Sequence, residues 1–195
     1  MQDLRNNFEL GDATTIIISG ESAGGHAAIQ HVDRWAAAFP NATVACLPDS
    51  AVDLEYPKSR TDPFNPPIPY DTGIRSNFRN FVDLSTNDSS DVGVHQGCFE
   101  FETSQNRTGE NCIYTQNVLP HVKAPSLLLE SYFDAYQIPC FLGVQHFPPY
   151  NGNFDNKTTE DEVKHFGQVY AELVQNLQFG NKNSSVFGTA CPTHG

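Results

Sequence analysis

The chain has 195 residues, 38% of them hydrophobic, and carries 23 acidic against 11 basic side chains for a formal net charge of −12. That length supports one domain with a sizeable core, and the acidity argues against a nucleic-acid partner and against an anionic membrane surface. No run approaches the roughly 18 apolar residues of a membrane-spanning helix, and the polar opening, residues 1–7, does not read as a secretory signal.

Residues 1–10 read as the tail of a helix. Thr14 to Ser19 is a short buried strand by its Thr/Ile content. It runs into Ser19-Gly20-Glu21-Ser22-Ala23-Gly24-Gly25, which holds G-x-S-x-G at Gly20, Ser22 and Gly24. A strand before this pattern and a helix after it is the layout of a nucleophile elbow, a turn so sharp that side chains on its flanks would clash. Glycine two before and two after the serine is expected to remove that clash and leave the hydroxyl clear at a helix N-terminus, where backbone N–H groups favour developing negative charge. In a chain this long the bare pattern arises by chance about 5% of the time.

Residues 24–38 form the helix. Ala28, Val32, Trp35 and Phe39 recur at steps of four, three and four on one apolar face, and Pro40-Asn41 ends it. Thr43 to Leu47 is a second strand. Strand, helix, strand at these lengths indicates a parallel α/β sheet. Residues 48–75, rich in Pro, Asp and Gly, and the polar stretch 85–118 read as long excursions of the kind that build a substrate mouth. Ser126 to Phe133 is a third strand ending at Asp134, and residues 137–160 form another loop. Val163, Phe166, Tyr170, Leu173 and Leu177 step as one face of an amphipathic helix. A short strand near 185–187 precedes Cys191-Pro192-Thr193-His194.

A serine nucleophile needs a base, and the base needs an orienting acid. In α/β-hydrolases the chain order is Ser, Asp or Glu, His, and Ser22, Asp134 and His194 obey it. Asp134 follows a strand, at the carboxyl edge of the sheet where ligands bind. Asp49 also follows a strand, and position alone does not separate the two. His194 lies after the last strand; of His95, His121 and His146, which precede or closely follow the acid strand, only His146 keeps the order. His26 and His31 lie on the helix that leaves the serine, His165 on another helix, and His95 and His121 precede the acid. His26 is near enough in sequence to line the pocket, yet a surface role is the simpler expectation. Asp33 and Arg34 read as packing and salt-bridge residues. Asp49, Ser50 and Asp53 are placed to support the floor of the site. The five cysteines, at 46, 98, 112, 140 and 191, include no C-x-x-C pair and do not suit a zinc site. No metal or cofactor motif is present. Five N-x-S/T sequons, at Asn41, Asn87, Asn106, Asn156 and Asn183, exceed the roughly two expected by chance.

Four segments together resemble the pectin acetylesterase/Notum family of serine esterases. They are Ser19–Gly25 with His31-Val32-Asp33-Arg34; Cys46-Leu47-Pro48-Asp49-Ser50; Asn111-Cys112-Ile113-Tyr114 leading through Lys123-Ala124-Pro125 to Ser131-Tyr132-Phe133-Asp134-Ala135-Tyr136-Gln137; and Cys191–His194. They stand in the family's order along nearly the whole chain. The resemblance implies Ser22 as nucleophile, Asp134 rather than Asp49 as acid, and His194 rather than His146 as base, with the Ala23 N–H in the oxyanion hole. It implies a secreted, glycosylated, disulfide-bonded enzyme, with Cys98–Cys112 the expected local pairing. Two departures stand out. Glu21 occupies a place where relatives carry a small or neutral residue, and nothing here matches the family's upstream glycine-rich loop ending in Gly-Trp-Cys-like residues.

The expected fold is therefore α/β, a mostly parallel α/β-hydrolase-like sheet with flanking helices, lacking the N-terminal strands of the family, in a single partial domain over 1–195. The expected function is carboxylic ester hydrolysis by a monomer, without metal or organic cofactor, on an O-acetylated extracellular polysaccharide such as pectin. The alternatives are a deacylase of a lipid-modified protein, or a shortened, inactive relative that only binds.

Overall fold

The computed structural model describes residues 2–8, 10–53, 93–142, 144, 146–148 and 152–194. Most of the expected excursion 48–75 and the first part of 85–118 lie outside these residues, as does the Asn87 sequon.

Among the described residues four strands form one sheet, β1 (Thr15–Glu21), β2 (Thr43–Asp49), β3 (Ser126–Ser131) and β4 (Ser184–Thr189), all parallel and in chain order. Parallel neighbours require crossovers, and helices supply them. After the short α1 (Gln2–Asn7) come α2 (Ala23–Ala38) between β1 and β2, and α6 (Lys157–Gly180) between β3 and β4. The connection from β2 to β3 contains α3 (Gln96–Ser104) and α4 (Thr115–Val118), and α5 (Gln137–Leu142) follows β3.

Register shows that α2 and α6 cover the same face. Cys46 aligns with Ser126, so Ile16, Val44, Cys46 and Leu128 point the same way. Ile16, Val44 and Cys46 pack with Ala28, Ile29 and Val32 of α2. Leu128 packs with Val163, Phe166, Tyr170 and Val174 of α6. The other face leaves Ile17, Leu127 and Phe187 at 62%, 42% and 62% exposure.

The predicted stripe on α2 largely holds: Ala28, Val32 and Phe39 are buried, while Trp35 is half-buried and stacked on the Phe39 ring at 5.8 Å. On α6, Val163, Phe166, Tyr170 and Leu177 are buried, but Val174 takes the deep position expected of Leu173.

Two stretches expected to be loops are partly helical. Within 85–118, α3 starts at His95, whose Nδ1 accepts the Cys98 N–H. One of its charged residues turns inward: Glu102, 4% exposed, accepts from Arg107 and Asn111. A Cys98–Cys112 disulfide ties α3 to the turn before α4. Within 137–160, α5 opens directly on Asp134, which accepts the Gln137 N–H. The long helix α6 begins at Lys157, earlier than its apolar stripe, because Asn156 caps it by accepting the Thr159 N–H.

Candidate active site

The carboxyl ends of the strands deliver the candidate residues one strand at a time. Ser22 follows β1 and starts α2 with φ 52° and ψ −120°, a left-handed conformation that a non-glycine residue adopts at a cost of about 1–3 kcal/mol. The Ser22 N–H donates to the Asp49 carbonyl at the end of β2, at 2.8 Å, and the Ser22 carbonyl accepts from His26 N–H at 3.0 Å. The strained residue is thus held between the neighbouring strand and its own helix.

Glycines make the turn, though not in the predicted arrangement. A Cβ on Gly20 would stand 2.4 Å from the Gly24 carbonyl carbon, so Gly20 must be glycine for the backbones to touch. A Cβ on Gly24 would meet nothing within 4 Å; the crowded position downstream is Gly25, where a Cβ would stand 2.6 Å from the Ala51 methyl.

Asp134 follows β3 and is fully buried. Its Oδ1 accepts two backbone N–H groups, from Tyr136 at 2.9 Å and Gln137 at 2.6 Å. Its Oδ2 lies 2.8 Å from His194 Nδ1. His194 follows β4, and its Nε2 lies 2.9 Å from Ser22 Oγ. The 191–194 segment is tied to the end of β3: Ser131 Oγ donates to the Cys191 carbonyl at 2.6 Å and the Ala135 N–H to the Thr193 carbonyl at 3.1 Å. The half-exposed Tyr136 ring tilts against the His194 ring at 5.1 Å.

This geometry dictates the tautomer. Asp134 is surrounded by donors, so His194 presents Nδ1–H to it and leaves the Nε2 lone pair facing the Ser22 hydroxyl. A serine in that contact can pass its proton to the ring and attack an electrophilic carbon. Ala23, exposed, is the first residue of α2, where a helix N–H has no intrahelical partner and is free to meet an oxyanion.

The structure thus brings Ser22, Asp134 and His194 into one contact chain, with Ala23 beside them. It sets the rivals elsewhere. The Asp49 carboxylate accepts from Ser50 Oγ, and its contribution to the site is its carbonyl. His146 lies 3.7 Å from Asp155, with both groups more than half exposed. His26 pairs with Asp53 at 3.0 Å. Asp33 is a staple between helix and loop: it accepts the backbone N–H groups of Lys123 and Ala124 and faces His95 Nε2 at 3.2 Å. Burial raises its carboxyl pKa, but the bonds from His95, Ala124 and Lys123 outweigh this and hold it below the usual range. Glu21, the predicted departure beside the nucleophile, is exposed at the end of β1. No group of three or more metal-ligating side chains occurs among the described residues, nor does a helix long and apolar enough to cross a membrane. A groove lined by Arg5, Phe39 and Asn41 lies at the far end of α2 from Ser22.

One residue behind this site escapes the sequence reading. Glu130 is the lone charge in the apolar run of β3 and is 4% exposed. Its Oε1 accepts the Ala51 and Val52 N–H groups at 3.1 Å each, and its Oε2 meets Tyr170 Oη at 2.8 Å. Burial pushes its carboxyl up to about 8, against the lowering effect of the bonds from Tyr170 and Ala51. The signal available in the sequence was the two-residue period, which puts Glu130 on the same face as Ser126 and Leu128.

Set against known proteins, the whole chain, residues 1–195, matches the family model described as pectinacetylesterase. No curated protein sequence matches it. Among solved structures it is similar to the Wnt deacylase Notum from Drosophila, with a TM-score of 0.70 and 18% identity over 93% of this chain. The aligned region is 46% of that chain, so this chain spans about half of its length. The fold is accordingly α/β-hydrolase-like, a parallel sheet with flanking helices.

Proposed function

Because the chain belongs to the pectinacetylesterase family, we propose that it is a serine carboxylesterase in which Ser22 is the nucleophile, His194 the base and Asp134 the orienting acid. The observation that carries the reading is the contact chain from Asp134 Oδ2 through His194 to Ser22 Oγ, at 2.8 and 2.9 Å. His194 Nε2 takes the Ser22 proton as Oγ bonds to the acyl carbon. The Ala23 N–H stabilises the oxyanion. Collapse of the tetrahedral intermediate breaks the ester C–O bond, and the imidazolium returns its proton to the departing alcohol. Water, deprotonated by the same imidazole, then attacks the acyl-serine and releases the carboxylic acid and free Ser22. Asp134 holds the tautomer throughout and stabilises the charged ring.

The substrate reading is an O-acetyl ester of an extracellular polysaccharide, following the family. A net charge of −12 makes a densely anionic chain an electrostatically costly partner, so the proposal stops at the acetyl ester. The second reading, removal of a longer acyl chain from a protein, takes its support from the likeness to a Wnt deacylase. Secretion, glycosylation at the sequons and a monomeric state belong to the same proposal.

Turnover of p-nitrophenyl acetate and p-nitrophenyl octanoate tests both readings. Ser22→Ala is expected to lower kcat by at least about 10⁴-fold, since a triad acts as a unit, with the circular dichroism spectrum unchanged. Preference for acetate supports the polysaccharide reading, and preference for octanoate the acyl-protein one. Turnover that survives in Ser22→Ala would discard the serine mechanism.

A further inference from the structure

The hydrogen bonds around Glu130 contain one proton too few if its carboxyl is charged. Tyr170 Oη, fully buried on α6, lies 2.6 Å from the Val52 carbonyl and 2.8 Å from Glu130 Oε2. Both neighbours are acceptors when Glu130 is ionised, and a phenol has one proton. Whichever oxygen it served, the other would face Oη inside the protein with nothing between them, a contact costly at low dielectric. A protonated Glu130 closes the set: Oε2–H donates to Oη, and Oη–H donates to the Val52 carbonyl. That carbonyl also accepts from Gln137 Nε2 at 3.0 Å.

We propose that Glu130 is held as a neutral carboxylic acid and serves as a positioning residue for the esterase site, fixing the Ala51–Val52 backbone behind both Ser22 and Asp134. On the serine side, the Ala51 methyl fills the space at Gly25 in the first turns of α2. The Asp49 carbonyl that holds Ser22 lies two residues before Ala51, and Asp53, after Val52, pairs with His26 of α2. On the acid side, Gln137 donates its amide to Val52 and its backbone N–H to Asp134. The acid proton of Glu130 therefore completes a hydrogen-bond run from β3 through α6 and the 51–53 segment to α5 and Asp134.

The titratable groups bearing on Glu130 are Tyr170 from α6 and Asp134 from the exit of β3. The 51–52 segment contributes backbone N–H groups, and α5 contributes the uncharged Gln137 amide, through Val52. Burial first, then negative charge on Glu130 whenever that carboxyl ionises and on Asp134, raise the Tyr170 phenol well above its ordinary value against the lowering effect of a hydrogen bond to Gln137, so Tyr170 keeps its proton in either state of Glu130. Loss of the Glu130 proton reopens the gap at Oη and adds a second negative charge near Asp134.

The test compares the native chain with Glu130→Gln, whose amide keeps the same donor and acceptor pattern but cannot ionise. The activity arm rests on the serine-esterase reading; the other two arms do not. In the infrared, the native chain is expected to show a buried protonated-carboxyl band at pH 7 that Glu130→Gln lacks and that fades as pH passes about 8. The folded-state value lies above the unfolded one of about 4.5, so stability present at low pH is lost as pH rises from about 4.5 to about 8. Across that window the folding equilibrium of the native chain falls, relative to Glu130→Gln, by up to about tenfold per pH unit, then levels off. In p-nitrophenyl acetate turnover, an alkaline fall near pH 8 in the native chain moves up by about one unit or more in Glu130→Gln. A missing band at pH 7, or a stability difference that does not vary with pH, overturns the proton. A band with superimposable pH–rate profiles overturns the positioning role. No turnover by the native chain overturns the esterase reading and the positioning role together, while the infrared and unfolding arms still decide the proton. Should Glu130→Gln fail to fold, Tyr170→Phe removes the acceptor of the acid proton and is expected to shift the band to that of a carboxyl without a hydrogen bond. An unshifted band assigns it to another acid and overturns the inference.

Discussion

Gly20 and Gly25 leave no room for a methyl group, and Gly24 does. At Gly20 the obstacle is backbone, which cannot swing aside, so Gly20→Ala is expected to open the elbow, lowering stability by about 1–3 kcal/mol and removing turnover. Gly24→Ala meets open space inside the first turn of α2 and is expected to stabilise by about 0.5–1 kcal/mol through helix propensity. Chemical denaturation of the two variants checks the contrast; equal losses would contradict the geometry. At Asp134 the argument concerns donors. Asn in its place must still offer an oxygen to the Tyr136 and Gln137 N–H groups, which turns its NH2 toward His194 Nδ1. The ring then keeps its proton on Nε2, facing Ser22, where it cannot act as base. Asp134→Asn is expected to lower kcat by about 10⁴-fold with little change in KM.

Individual elements differ in how much they can lose. On β3, Leu128 is fully buried under α6 while Leu127, its neighbour, faces outward. Leu128→Ala is expected to cost about 2–5 kcal/mol and Leu127→Thr no more than about 0.5 kcal/mol; unfolding midpoints read the difference. The Cys98–Cys112 bridge spans 14 residues, and on loop-closure grounds replacing both cysteines by serine is expected to cost about 3 kcal/mol. The two remaining thiols with described side chains differ in exposure: Cys191 is exposed, and Cys46 is buried, with burial and the Asp33 charge pushing its thiol up to about 12. Much of this was legible in the sequence. The Ile run before Ser22, the apolar stripe of α6 and the strand before Asp134 all advertise themselves because period and composition agree. The helices within 93–118 did not, because the segment is held by a few polar side chains that bond inward: Glu102 gathers Arg107 and Asn111, and Gln30 reaches from α2 to the His95 N–H and the Cys112 carbonyl. Polarity in a sequence indicates solvent until a tertiary partner is known. Glu130 was hidden for the same reason, since its partners lie 40 and about 80 residues away.

At the scale of the molecule, the four strand exits lie along one edge of the sheet, and β1 and β4 are its two outer strands. The candidate site is complete only when the segment after β4 folds back across that edge to Ser22. Ending the chain at Thr189 keeps every strand but orphans the Ser131 hydroxyl and the Ala135 N–H. The expected loss is about 1–3 kcal/mol for each, with turnover falling to the level of His194→Ala. Circular dichroism with a turnover assay separates a lost base from a lost fold. The chain order of Ser22, Asp134 and His194 could be read in advance because each follows its own strand; the distances between them could not, because they depend on sheet order.

Sheet order and chain order coincide, and this gives the molecule a history as well as a shape. Among the described strands, β2, β3 and β4 each emerge from the ribosome with their partner already made, so the sheet can grow outward from β1. The elbow is built from β1 and α2, and the imidazole arrives 172 residues after Ser22, beyond β4. In the proposed mechanism Ser22 therefore stays an ordinary alcohol, chemically silent toward esters, until β4 and the segment that follows it take their place.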